Sequence, residues 1–306
     1  MGSLLTGLLA AEERSLARAI SLVDAGGASG DALLRAARPH GGRARVLGVT
    51  GSPGSGKSTL VDALIAAARA KAWRVAVVAV DPSSPFSGGS ILGDRIRMMR
   101  WHDDPGVFIR SMASRGHLGG LAAGTLKVVA LLDAAGFDLI IIETVGVGQS
   151  EVDVVDAADT TVLVLTPGAG DGVQAFKAGI MEIADVICLN KADLPGVRRL
   201  AQEVRSALDL VHPEPGDWRT PIVQTVATDQ TGVADLLERI EAHREWLIGA
   251  SGLAAKRHDR VRSEIMATLE TRLRTRVVAL GEDSIERVLS GASSPEQIAE
   301  DLLPGN

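Results

Sequence analysis

The run Gly51-Ser52-Pro53-Gly54-Ser55-Gly56-Lys57-Ser58-Thr59 carries the spacing G-x-x-x-x-G-K-[ST], which is suited to holding phosphate. Its glycines let successive backbone N–H groups face one anion, and a helix starting behind them adds its positive end. Lys57 would reach the β- and γ-phosphates of a nucleoside triphosphate, and the Ser58 hydroxyl would ligate Mg²⁺. The apolar run Val46-Leu47-Gly48-Val49 precedes the loop, and Thr59 to Ile65 reads as the opening of a helix. That strand–loop–helix context is what separates a phosphate loop from a chance glycine turn.

A second motif names the base. Asn190-Lys191-Ala192-Asp193 follows the apolar run 186–189. The Asp193 carboxylate can accept from guanine N1 and the exocyclic amine, whereas adenine would leave it unsatisfied, so the discrimination favours GTP over ATP. Lys191 can lie along the base and brace the phosphate loop. Thr225-Val226-Ala227-Thr228 follows the last apolar run, and Val226, Ala227 and Thr228 are placed to offer a backbone N–H to the guanine O6.

Acidic groups then point to metal. The apolar run 139–142 ends in Glu143-Thr144-Val145-Gly146, where Glu stands in for the usual Asp and the Gly146 amide is positioned to sense the γ-phosphate. Asp81 ends another apolar run, and strand-end carboxylates facing the crevice of such a sheet belong near Mg²⁺ and its waters. Asp94, in Gly93-Asp94-Arg95-Ile96-Arg97, reads two ways. It is a metal ligand delivered when a loop closes, or the cap of a helix beginning at Arg95.

Such residues must be held at the ends of strands. Seven short apolar runs occur at 46–49, 75–80, 107–110, 139–142, 161–165, 186–189 and 222–226, several of them separated by segments of helical character. This alternation predicts an α/β fold with a doubly wound, mostly parallel sheet, whose strands are buried on both faces. Leu4, Leu5, Leu8, Leu9, Leu16, Ile20 and Val23 mark a helical stripe that Gly26-Gly27 ends; Asp31 opens a second helix that stops at Pro39. Residues 254–280 read as one long helix with Val261, Ile265, Leu269, Leu273 and Val277 at four-residue spacing. The expected organisation is an N-terminal helical extension over 1–42, a P-loop GTPase domain over 43–250, and a C-terminal helical dimerisation arm over 251–306.

Composition narrows the classes. A chain of 306 residues with 46% hydrophobic content suits one large α/β domain with extensions. Aromatic content of 3%, without Tyr, supplies no stacking platform for single strands, and a net charge of −6 opposes broad nucleic-acid or anionic-membrane binding. The N-terminus lacks a secretory pattern, and no apolar run approaches the roughly 20 residues that span a bilayer. The expectation is a cytoplasmic protein, or the mature part of an organellar one. Cys188, alone in Val186-Ile187-Cys188-Leu189, reads as a reduced core residue.

Together these motifs resemble the methylmalonyl-CoA-mutase-associated GTPases, the MeaB/MMAA type also labelled ArgK, in the cofactor-assembly branch of P-loop GTPases. The resemblance covers nearly the whole chain, through 48–59, 80–98, 109–120, 143–151, Pro167-Gly168-Ala169-Gly170-Asp171 and the Asn190 box. It implies an accessory GTPase for an adenosylcobalamin-dependent acyl-CoA mutase, such as methylmalonyl-CoA mutase. Slow hydrolysis would gate cofactor loading and protect or reactivate the mutase. It also implies a metal and catalytic shell at Asp81, Asp94 and Glu143, and a further switch loop containing Gln174 and Lys177 that responds to nucleotide and partner. The homodimer through the C-terminal arm is implied as well. No water-orienting Gln is evident after Gly146, and the parts played by Gln149, Arg95 and Arg115 stay open.

Three other readings compete. A nickel or cobalt metallochaperone GTPase would need clustered Cys or His, and the histidines at 40, 102, 117, 212, 243 and 258 are scattered. A non-catalytic switch conflicts with the apparent metal shell. An ATPase-like transporter subunit conflicts with Asn190-Lys191-Ala192-Asp193.

Overall fold

The seven apolar runs become seven strands of one sheet in a computed structural model that describes residues 2–81, 99–113, 123–144, 154, 156–168, 184–210, 214 and 216–303. The strands are β1 (Arg45–Thr50), β2 (Val75–Asp81), β3 (Val107–Ala113), β4 (Leu139–Thr144), β5 (Thr160–Leu165), β6 (Val186–Asn190) and β7 (Ile222–Thr225). Their order is β3-β2-β4-β1-β5-β6-β7, and every pairing is parallel. All residues of β4 and β5 are buried, as expected of strands covered on both faces.

Period-two alternation sorts each strand between two cores. Val46, Val78, Ile140 and Ile142 face one side, where they meet α2 (Glu13–Ala25), α3 (Ala28–Ala37) and α5 (Ala123–Ala134) through Leu16, Ile20, Leu33, Leu131 and Leu132. Leu47, Val49, Val77 and Ile141 face the other, against α4 (Lys57–Ala70) and α7 (Val233–Gly249) through Leu60, Leu64, Leu236 and Ile240. A third cluster joins Leu163, Leu165, Ile187 and Leu189 to Leu200 and Val204 of α6 (Val197–Leu208). The N-terminal helices therefore roof one face of the sheet.

The N-terminal stripe is two helices rather than one: α1 (Gly2–Leu9) and α2 are separated at Ala11, whose φ is 52°. The Ala11 and Glu12 N–H groups donate back to Leu8 O and Gly7 O at 2.8 and 2.9 Å, closing α1. The turn is stabilised by close packing, since a Cβ at Gly7 would lie 2.8 Å from Ser15 Cβ. The long downstream helix, α8, spans Gly252–Val278.

The chain divides into two compact units, Met1–Arg260 and Val261–Asn306. Within the second, Val261, Ile265, Leu269 and Val277 on α8 are 43–55% exposed. Two short helices follow, α9 (Glu282–Leu289) and α10 (Pro295–Leu302), the latter capped by Ser294 Oγ accepting from Gln297 N at 3.2 Å. Among the described residues, no helix is long and apolar enough to cross a membrane.

The N-terminal edge of the sheet is fastened by charge. Asp159, just before β5, accepts from Val46 N at 2.9 Å and pairs with Arg260 at 2.6 Å. Asp185, just before β6, accepts from Thr161 N at 2.8 Å and meets Lys256 at 3.2 Å. Its other oxygen lies 3.2 Å from Nε2 of the buried His243, whose Nδ1 lies 2.9 Å from Thr160 Oγ1. Neutral imidazole satisfies both contacts, with Nε2–H donating to Asp185 and Nδ1 accepting the threonine proton.

Burial holds the His243 pKa down to about 4, overriding the nearby Asp185 carboxylate. The unfolded chain, titrating near 6.5, takes up the proton first, so the native advantage is full above pH 6.5 and shrinks as pH falls toward about 4. Urea denaturation should show up to about 3 kcal/mol of stability lost across that window. His243→Gln is expected to flatten that part of the pH dependence; an unchanged profile would remove His243 as its source.

Candidate functional site

The strands run parallel, so their carboxyl ends share one edge of the sheet, and β1 lies where the chain order reverses between β4 and β5. The phosphate loop follows β1 at that edge. Gly51 and Gly56 have φ of 140° and 89°, conformations that L side chains rarely adopt. They are also crowded: a Cβ at Gly51 would collide with Val164 O, and one at Gly56 with the Asn190 amide nitrogen. Pro53 and Gly54 are exposed at the loop's tip, Ser55 is buried beneath them, and Ser55 N donates to Ser52 O at 3.2 Å. Lys57 opens α4, with its ammonium 2.5 Å from Gly51 O and 3.0 Å from Ser52 O. Thr59, in the first turn of α4, is half-buried.

Glu143 comes from β4 next door. The register sets Val49 opposite Glu143, and the buried Glu143 Oε1 accepts from Ser58 Oγ at 2.6 Å. Behind them the buried Thr144 and Thr50 hydroxyls lie 3.4 Å apart, joining the same two strands. A hydroxyl and a carboxylate, both hard oxygen donors within hydrogen-bond distance of each other at the mouth of a phosphate loop, suit Mg²⁺. Asp81 closes β2 in register with Ala113, at the same edge; its side chain lies outside the described residues. So do Asp94, Gly146 and Lys177, together with Gln149, Gln174, Arg95 and Arg115.

The Asn190-Lys191-Ala192-Asp193 motif meets the same loop from the other side. Asn190, the last residue of β6, is buried; its Nδ2 donates to Ser55 O at 2.9 Å. Its Oδ1 accepts from Thr225 Oγ1 at 3.1 Å and from Ala227 N at 3.3 Å. Lys191, at φ 56°, donates from Nζ to Gly54 O at 2.8 Å, so it does brace the loop. Asp193 is exposed. In the segment expected to face the guanine O6, Val226 N is turned to Thr231 O at 3.0 Å and Ala227 N to Asn190, while Thr228 is exposed. Sequence reasoning passed over Thr225 and the Thr50–Thr144 pair. Their signal was a threonine at the last position of each of three strands.

Among the described residues, no group of three or more His, Cys, Asp or Glu is gathered for a metal. The phosphate loop, the Ser58–Glu143 contact and the Asn190 box at one sheet edge define a P-loop nucleotide hydrolase. Comparison with known proteins narrows this. The family described as methylmalonyl Co-A mutase-associated GTPase MeaB matches residues 16–282, and the chain belongs to it. A putative GTPase of Pyrococcus abyssi is 50% identical over 256 residues, 83% of this chain and 79% of that protein. The mouse mitochondrial methylmalonic aciduria type A homolog is 35% identical over 269 residues, 84% of this chain and 64% of that protein. The crystal structure of a LAO/AO transport system kinase matches with a TM-score of 0.73 at 27% identity, over 98% of this chain and 95% of that one. The chain is a GTPase, converting GTP and water to GDP and phosphate.

Replacing Gly56 tests the crowding at the loop. Gly56→Ala adds a Cβ against Asn190 at a left-handed φ, and the strain should cost at least about tenfold in GTP affinity. Fluorescent-nucleotide titration, with circular dichroism to verify the fold, measures this; unchanged affinity would mean that the loop relaxes freely.

Proposed function

We propose that this GTPase is a partner-responsive switch serving a cobalamin-dependent acyl-CoA mutase, such as methylmalonyl-CoA mutase. In this reading its nucleotide cycle gates adenosylcobalamin loading and protects or reactivates the mutase. The mutase association rests on the family's description and on the mouse relative. The single observation that carries the switch is the Ser58–Glu143 hydrogen bond of 2.6 Å. It joins the phosphate loop to the end of β4, so a change at the phosphates is felt where the chain leaves the sheet.

In hydrolysis a water oxygen bonds to the γ-phosphorus as the bond to the β–γ bridging oxygen breaks, and GDP leaves with that electron pair. Lys57 would move from the Gly51 and Ser52 carbonyls onto the β- and γ-phosphate oxygens, and loop N–H groups would hold the developing charge. Ser58 and Glu143, with Asp81 and Asp94, are the proposed Mg²⁺ shell. Bound there, the ion would neutralise charge on the phosphate oxygens. Lys177 is proposed as a further switch residue. Asn190, Lys191, Asp193 and, from the 226–228 segment, Thr228 would hold guanine; the Val226 and Ala227 N–H groups are engaged by Thr231 and Asn190. The exposed apolar stripe of α8, with Val261, Ile265, Leu269 and Val277, supports a homodimer through the C-terminal helices.

Turnover of the isolated protein should be slow, well under about 1 s⁻¹, and rise at least about tenfold on adding purified mutase. Lys57→Ala and Glu143→Ala should each lower hydrolysis by about a hundredfold or more. Calorimetry against methylmalonyl-CoA mutase with GDP and with a non-hydrolysable GTP analogue tests the association. No binding in either state, or ordinary enzyme rates without a partner, would overturn the proposal.

A further inference from the structure

Asn190 sits between the two halves of the nucleotide site, so whatever fixes its amide fixes their relation. Rotating that amide by half a turn would set Nδ2 against the Ala227 N–H and Oδ1 against Ser55 O, two repulsive pairings. The observed orientation, Nδ2 to Ser55 O at 2.9 Å and Oδ1 to Ala227 N at 3.3 Å, is therefore the one the backbone dictates. Oδ1 is then an acceptor, and Thr225 Oγ1, 3.1 Å away, must spend its only proton on it. Cys188 Sγ lies 3.1 Å from the same hydroxyl. With the threonine proton committed, the thiol must be the donor. All three side chains are buried. The order is one-way: Cys188 S–H to Thr225 O–H to Asn190 C=O, and Asn190 N–H to the carbonyl of Ser55 in the phosphate loop.

We propose that Thr225, backed by the thiol of Cys188, is a positioning residue for guanine-nucleotide retention, because it orients the Asn190 amide that couples the phosphate loop to the base-recognition loop. The inference rests on the assignment of Asn190 to the guanine site. Thr225 touches no nucleotide in this scheme. Its backbone carbonyl also accepts from Ala192 N at 3.0 Å, so the residue holds both the side chain of Asn190 and the turn that presents Asp193. Burial pushes the Cys188 thiol up to about 12, which keeps it protonated, and able to donate, at neutral pH.

The test compares five variants by release of a fluorescent GDP and by steady-state GTP hydrolysis. Thr225→Val keeps the shape and deletes the hydroxyl. It should speed GDP release and raise KM for GTP by about tenfold, the worth of one buried hydrogen bond, with a much smaller change in kcat. Thr225→Ser should restore release to within about twofold of the parent. Cys188→Ala should speed release by about threefold, and Cys188→Ser, which keeps a donor, should not. Should Thr225→Val fold poorly, the Cys188→Ala and Cys188→Ser pair carries the comparison, with thermal melting recorded for both. The proposal is overturned if Ser and Val at 225 behave alike, if Ala and Ser at 188 behave alike, or if the loss falls on kcat. Asn190→Ala separates the two levels. If it leaves GDP release unchanged, the guanine assignment falls and the relay with it. If it speeds release while Thr225→Val does not, only the relay falls.

Discussion

The phosphate site depends on β1 and β4 running side by side, parallel, in the register that sets Val49 opposite Glu143. Because the strands are parallel, the loop leaving β1 and the carboxylate ending β4 arrive at one edge together. A shift of one residue would turn Glu143 to the opposite face of the sheet and bring Ile142 beside Ser58. Such a slip is opposed along the whole strand. Ile140 and Ile142 fill one core while Leu139 and Ile141 fill the other, so moving one carboxylate would misplace four buried side chains. The chemistry at the edge is thus held by apolar packing beneath it, and the Thr50–Thr144 contact adds a polar tie at the last rung.

The two sides of the loop are held differently. On the β4 side, the Glu143 carboxylate reaches Ser58 in the first turn of α4. On the β6 side, side-chain amide and ammonium groups of Asn190 and Lys191 reach loop carbonyls at Ser55 and Gly54. The Asn190 box thus supplies donors to two loop carbonyls, while Lys57 meets those of Gly51 and Ser52. The residues proposed for base recognition and the loop's shape are therefore parts of one hydrogen-bond system.

Most of the architecture was readable because parallel strands buried on both faces leave unbroken apolar runs, and all seven runs became strands within a few residues at each end. The phosphate loop was readable because its glycines are required by backbone geometry. The Ala11 turn was not, since no Gly or Pro marks it and it is stabilised by the packing of α1 on α2. Nor was the link from Cys188 through Thr225 to Asn190. A lone thiol in an apolar run reads as a small hydrophobe, and only the three-dimensional pairing of β6 with β7 brings its sulfur to a hydroxyl. The carboxylates Asp159 and Asp185 were passed over for a similar reason. Their partners Arg260 and Lys256 lie about 70–100 residues away, beyond any local pattern.

That last arrangement bears on how the chain can be shortened. Asp159 is almost wholly buried, and Arg260 is the cation that balances it. A chain ended just after α7 would keep every strand and every nucleotide motif, yet strand an uncompensated carboxylate under β1 and β5, at about 3–5 kcal/mol. It would also remove Lys256 from Asp185. A minimal catalytic fragment of this GTPase therefore has to carry the opening turns of α8, through Arg260, as part of its sheet.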